Sequence, residues 1–388
     1  MNFFYTLLLI IIGFIFINRF KNNLSKTELL VLRRIWIFHI LVSVGFYFFT
    51  RNGGGDAWYY FITSQKMNFI EFWNYILNEK GTYFVFALNY IPSKILDLNF
   101  FNNTLLFSFL GFIGMVYFYL IALKTIHYNT KIGKFFIFPL FFFLPNLHFW
   151  SSGVGKDSLL FLCIGMFSYA LLSISKRFIL IIISLALAFF IRPHMVFFML
   201  LAFGLAYTMN SNLSGAKRLF LGGLLIGGGV IILPSVLEFV KVEEISTESI
   251  VKFSEDKSAL LSREETGSRL SQSSSFPAKL FAFYFRPFFF DVNGLPALIA
   301  SFENLLLVLL SIKVLRNKPY LAFKKAPFVI KGLILFMLIG SIAFSLSLGN
   351  VGIMIRMRNM FLPGFIIFMM WTLSYAHERK LKSQNNHS

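Results

Sequence analysis

A single cysteine, Cys163, occurs in 388 residues, and it lies inside an apolar run. Neither a disulfide framework nor a thiolate metal site can be built from it. Acid is scarce as well: 17 Asp and Glu face 36 Lys and Arg, leaving a net charge of +19. The histidines, among them His39, His127, His148 and His194, show no HxxxH or HExxH spacing, so no metal site is supported. Only 241–275 is a long hydrophilic stretch. The apolar run at 2–17 has no basic n-region and no small-residue cleavage site, and it ends at Asn18-Arg19-Phe20-Lys21, which predicts a retained helix.

What the chain has in abundance is hydrocarbon: 57% of its residues are hydrophobic and 19% aromatic. Apolar runs separated by short polar breaks predict an all-α, polytopic transmembrane bundle, because a bilayer core of about 30 Å admits only elements that satisfy their own backbones. Eleven spans are expected, at 2–17, 35–50, 105–123, 135–150, 158–174, 178–191, 195–209, 219–233, 295–312, 328–348 and 360–375. The chain reads as one integral membrane domain, 1–388, with an outer loop at 238–290 whose apolar positions suit short amphipathic helices and a mobile lid. Alternate breaks are basic, and the positive-inside rule puts those in the cytoplasm. With Lys331, at the start of the span 328–348, they hold 21 of the 36 basic residues but only Glu28 and Glu378 among the acids, so the whole excess charge falls on one side. The N-terminus is then outside and the C-terminus inside. The run 82–91 is too short to cross and is expected to be re-entrant or interfacial. Nucleic acid is no expected partner, since the basic surplus tracks the inner leaflet.

The chemically unusual stretches all fall on the outer side, which suggests one outward-facing polar cleft. Asp56 follows three glycines at the exit of the second span and is the candidate general base; its competing role is that of N-cap for a helix starting at Ala57. Lys156, Arg192, Arg286, Arg356 and Arg358 are candidate phosphate ligands, set against snorkelling to lipid headgroups. Glu303 is an ionisable group within an apolar run and a candidate on that ground. Trp58, Tyr59, Tyr60, Trp150 and His194 are candidate sugar or acceptor contacts, although interfacial aromatic belts occupy the same depth. Gly153-Val154-Gly155-Lys156-Asp157 is not an ATP site, because Trp150 stands where the first phosphate-loop glycine belongs and Asp157 where Ser or Thr belongs.

The outer Gly55-Asp56 with Tyr59 and Tyr60, the piece from Gly81 to Leu98, and the stretches around Trp150 to Ser158, Phe285-Arg286-Pro287-Phe288 and Arg356 to Arg358 resemble the GT-C superfamily of polyprenyl-phosphate-sugar glycosyltransferases and the related bacterial exopolysaccharide polymerases. In that superfamily the catalytic Asp commonly follows the first span; here it follows the second. The resemblance implies an inverting transfer from a lipid-linked sugar to a glycan or lipid-linked acceptor, at the outer face of a bacterial inner membrane. Asp56 is then the base and the cations hold the leaving phosphate. No cofactor is required, and a divalent metal is not demanded. Repeat-unit polymerisation and lipid-linked glycan transport are the alternatives.

Overall fold

A computed structural model describes residues 2–132, 134–209, 275–292, 294–347 and 351–385, with isolated positions between 214 and 228. It is helical; the only strands among the described residues are a two-residue antiparallel pair, β1 (Lys131–Ile132) and β2 (Phe135–Phe136). Five helical stretches are long and apolar enough to cross a membrane: Lys26–Arg51, Phe100–Thr125, Lys156–Ile191, Leu295–Arg316 and Phe328–Ser345. Val351–Arg358 with Leu362–Asn385, bent by 63°, makes a sixth if the pair counts as one span. Helices exposing Phe3, Leu7, Ile11 and Ile15, or Phe178, Ile179, Ile182 and Ile183, have apolar outer faces that suit lipid and not water. The chain is a multi-pass membrane protein.

The eleven expected spans are not all found, and the local causes are identifiable. The run 135–150 is no single helix. Pro139 and Pro145 force the preceding residues, Phe138 (ψ 127°) and Leu144 (ψ 122°), into extended backbone. The run divides into β2, α7 (Ile137–Leu140), a 3₁₀ turn at Phe141–Phe143 and α8 (Pro145–Phe149). The expected spans at 158–174 and 178–191 belong to one apolar stretch that breaks at Leu171–Ser173. Its two arms, α9 (Lys156–Ala170) and α10 (Ile174–Ile191), pack against each other. The helices α1 (Asn2–Asn18) and α11 (Pro193–Thr208) have 17 and 16 residues, short of the roughly 20 that a full crossing takes. The expected span at 219–233 lies largely outside the described residues, as does the expected outer loop 238–290 up to residue 274; the remainder of that loop holds a helix at Phe276–Phe285.

The chain forms two compact units. The first comprises Met1–Ile121 and Pro139–Arg192. Here α2 (Lys26–Arg51) starts at a capping box in which Ser25 and Glu28 each accept from the other's backbone N–H. Trp36 of α2 donates to the Ile10 carbonyl of α1 at 3.0 Å. Its indole fills the space where a β-carbon on Gly13 would stand. The buried helix α6 (Phe100–Thr125) meets α9 where Gly114 and Gly165 bring the two backbones together, with no room for a β-carbon at either position. Three short helices connect α2 to α6: α3 (Ala57–Lys66), α4 (Phe69–Asn78) and α5 (Thr82–Tyr90). No residue of α4 is buried, and Phe69, Ile70, Trp73 and Leu77 are exposed along one side, as suits a helix lying in a membrane interface. The run 82–91, expected not to cross, is α5 followed by a π turn at Ile91–Ile95.

The second unit comprises Ala122–Phe138 and Pro193–Ser388. Its centre is α15 (Phe328–Ser347), which packs against α11 with the Phe203 ring over Gly332. Around them stand α12 (Phe276–Phe285), α13 (Leu295–Arg316), α14 (Pro319–Lys325), α16 (Val351–Arg358) and α17 (Leu362–Asn385). Trp371 of α17 donates to the Ala322 carbonyl of α14 at 2.9 Å.

Candidate functional site

Four segments of the first unit meet near the N-terminus of α3. The turn before it takes positive φ at Gly53 (89°) and Gly55 (66°), which glycine adopts without the steric cost of a side chain, and so turns the chain sharply out of α2. Asp56 follows at the N-cap position with an exposed side chain that makes no capping hydrogen bond. The capping role that competed with a chemical one is therefore not realised. One turn on, the buried Tyr60 ring approaches Gly155; a β-carbon there would lie 3.9 Å from it. Gly155 leads into α9, whose first residue, Lys156, donates from Nζ to Thr82 Oγ1 at 2.8 Å. Gly81, just before Thr82, donates its N–H to the Phe190 carbonyl at the end of α10, at 2.7 Å. Two residues further on, Arg192 Nη2 meets Asp157 Oδ1 at 3.2 Å, with about a tenth of each side chain exposed.

The result is a cluster at one end of α10, Lys156, Asp157 and Arg192 with Thr82, and the Tyr60–Gly155 contact brings the helix that starts after Asp56 against the segment leading into it. Arg177 lies near the other end of α10, about 22 Å away at 1.5 Å per residue, where it caps the Tyr169 carbonyl and stacks on the Tyr169 ring. Of the aromatic candidates, Tyr59 is exposed beside Phe86, while Trp58 lies under the Arg51 guanidinium at 4.3 Å and against Phe100. Trp150 packs on Phe49 and Phe149.

The remaining candidates fall in the second unit, where Arg286, Arg358 and Glu303 lie together. Arg286 binds Asp291 with two nitrogens, its Nε reaching Oδ2 at 2.9 Å. The peptide between Arg286 and Pro287 is cis. Arg358 is buried; it donates to the Tyr284 carbonyl and, at 2.8 Å, to Asn304 Oδ1, while Asn304 Nδ2 holds the Pro287 carbonyl at 2.8 Å. Glu303, also buried, acts electrostatically on Arg358. Arg356 is two residues from Arg358 on α16 and so faces another side of the helix. His194 sits among Phe198 and Phe344.

The sequence reading missed the acids. Asp157 and Asp291 each engage an arginine singled out as a phosphate ligand. Asp157 lies in the stretch Trp150 to Ser158, beside Lys156, and Asp291 stands three residues beyond Phe285-Arg286-Pro287-Phe288. Thr82 and Asn304 had no signal beyond their place near those stretches. Among the described residues no group of three or more His, Cys, Asp or Glu is placed to hold a metal ion. No protein-family model matches the chain, and neither a curated protein nor a solved structure is significantly similar to it.

Proposed function

We propose that this protein is a GT-C-like membrane glycosyltransferase of bacterial surface-polysaccharide synthesis. It takes a polyprenyl-(pyro)phosphate-linked sugar at the extracytoplasmic face of the cell membrane, with its N-terminus outside and C-terminus in the cytoplasm. The observation that carries the reading is an exposed carboxylate, Asp56, one turn before Tyr60, whose ring lies against the Gly155 that leads into Lys156, in the same unit as the Arg192–Asp157 pair. A glycosyl transfer from a lipid phosphate needs a base for the acceptor hydroxyl and cations for the departing phosphate.

In the proposed step the acceptor oxygen attacks the anomeric carbon, the bond from that carbon to the phosphate oxygen breaks, and the acceptor proton passes to Asp56. The polyprenyl (pyro)phosphate leaves with the bonding electrons, and Lys156 and Arg192 offset its charge. Thr82 and Asp157 hold those cations in position, so little reorganisation is needed as charge develops. The lipid carrier is itself the activated donor, and the step draws on no nucleotide.

The test is turnover of purified full-length protein in nanodiscs with a panel of polyprenyl-phosphate sugars, read as release of polyprenyl phosphate. Asp56→Asn should lower turnover about 10²-fold or more, as for loss of a general base, without lowering the unfolding temperature, because the side chain is exposed. Wild-type turnover by a folded Asp56→Asn protein overturns the assignment.

A further inference from the structure

Two histidines that the site does not use face each other in the interior of the first unit. His39 of α2 and His148 of α8 are both fully buried, and their Nδ1 atoms are 2.8 Å apart. The second nitrogen of each ring is also engaged. His39 Nε2 lies 3.0 Å from the Ser108 carbonyl of α6, and His148 Nε2 lies 2.8 Å from the Phe142 carbonyl. His39 is near the middle of α2, about 20 Å from either end of that helix at 1.5 Å per residue.

A count of hydrogens decides what this arrangement holds. A carbonyl oxygen only accepts, so each Nε2 must carry a hydrogen. A neutral imidazole has one N–H. Two neutral rings therefore supply two hydrogens for three contacts and leave two lone pairs opposed at 2.8 Å. Two imidazoliums supply four, and set N–H against N–H with two charges. Only the state with three hydrogens satisfies every contact. We infer that His39 and His148 form a proton-binding site, holding one proton between their Nδ1 atoms as a buried monocation.

Burial opposes a charge here, so the surroundings must offset that cost. Both outer nitrogens donate charge-assisted hydrogen bonds to carbonyls. Aromatic rings enclose the pair: Trp36 stacks 6.2 Å from His39, Phe112 lies 6.0 Å from it, and Phe38 meets His148 edge to face at 4.9 Å. Among the described residues of α1, α2, α6 and 141–149 the only carboxylate is Glu28, eleven residues before His39. On α2 the charged residues are Lys26, Glu28, Arg33, Arg34 and Arg51; Lys26, Glu28 and Arg51 lie toward the helix ends, and Arg33 and Arg34, six and five residues before His39, are exposed. On α6 the titratable groups are Tyr117, Tyr119 and Lys124, and Tyr119 packs on Phe142; α1 has Tyr5 alone, and the segment 141–149 has only His148. The proton ties α2 to α8, and so to the segment broken at Pro139 and Pro145. The inference is independent of the glycosyltransferase reading.

Full-length protein carrying 15N-labelled histidine, in nanodiscs at pH 7, tests the count directly by solid-state NMR. His39→Asn and His148→Asn assign the resonances. Three of the four ring nitrogens of the pair should carry hydrogen; two of four, one on each ring, overturns the inference. Should either Asn variant not fold, a chain with His127, His194, His377 and His387 replaced by Gln isolates the signals of the intact pair. The same count then decides.

Discussion

Arg192 and Asp157 gain from each other what neither keeps alone in a site that is nine-tenths enclosed. Removing one member of a buried ion pair leaves an uncompensated charge and typically costs about 3–5 kcal/mol, whereas apolar replacement of both is often near neutral. Arg192→Met should thus lower the unfolding temperature sharply, and Arg192→Met with Asp157→Leu should recover most of the loss. Thermal unfolding of the purified protein in detergent checks both, and a cost under about 1 kcal/mol for the single change would mark the pair as solvent-screened. At this scale the sequence was legible in cations and not in their partners. Lys156, Arg192, Arg286 and Arg358 stand out because charge is rare in apolar surroundings. Which acid or amide each one meets depends on how helices pack, and nothing in the local spacing encodes that for Thr82 or Asn304.

Helix contacts set the larger distances. Gly114 and Gly165 let α6 and α9 approach so closely that a β-carbon on Gly114 would stand 2.7 Å from the Phe161 carbonyl, which is backbone and cannot move aside alone. Gly114→Ala should cost about 1–3 kcal/mol through forced separation of the two helices. Gly45→Ala, on α2 with nothing within 4 Å of its would-be β-carbon, should be neutral or stabilise by up to about 1 kcal/mol through helix propensity. Paired melts of the two variants check the contrast, and an equal response would remove the packing argument. Most long helices were visible from hydropathy, because a run such as 105–123 is apolar all round and buried. The run at 135–150 misled for a stated reason: window averages weigh the hydrocarbon of Phe and Leu and ignore that Pro139 and Pro145 each force an extended residue before them. The interfacial character of α4 lay in the spacing of Phe69, Ile70, Trp73 and Leu77, a signal too short for a span-length window.

Over the whole molecule, the excess of +19 and its segregation into alternate breaks make a claim about sidedness that hydropathy alone does not. The first unit offers a direct test, because Cys163 is fully buried and the chain has no other cysteine. An impermeant maleimide should leave the native protein unlabelled in intact cells. Asn52, in the exposed turn before Asp56, and Lys176, exposed at the start of α10, are flanking positions for single added cysteines. If alternate basic breaks face the cytoplasm, Asn52→Cys reacts in intact cells, and Lys176→Cys reacts only after the membrane is opened. Labelling of both from outside would break the alternation that assigns every loop. Labelling of Lys176→Cys alone would invert it, setting Asp56, Lys156 and Arg192 on the cytoplasmic face, away from an extracytoplasmic donor.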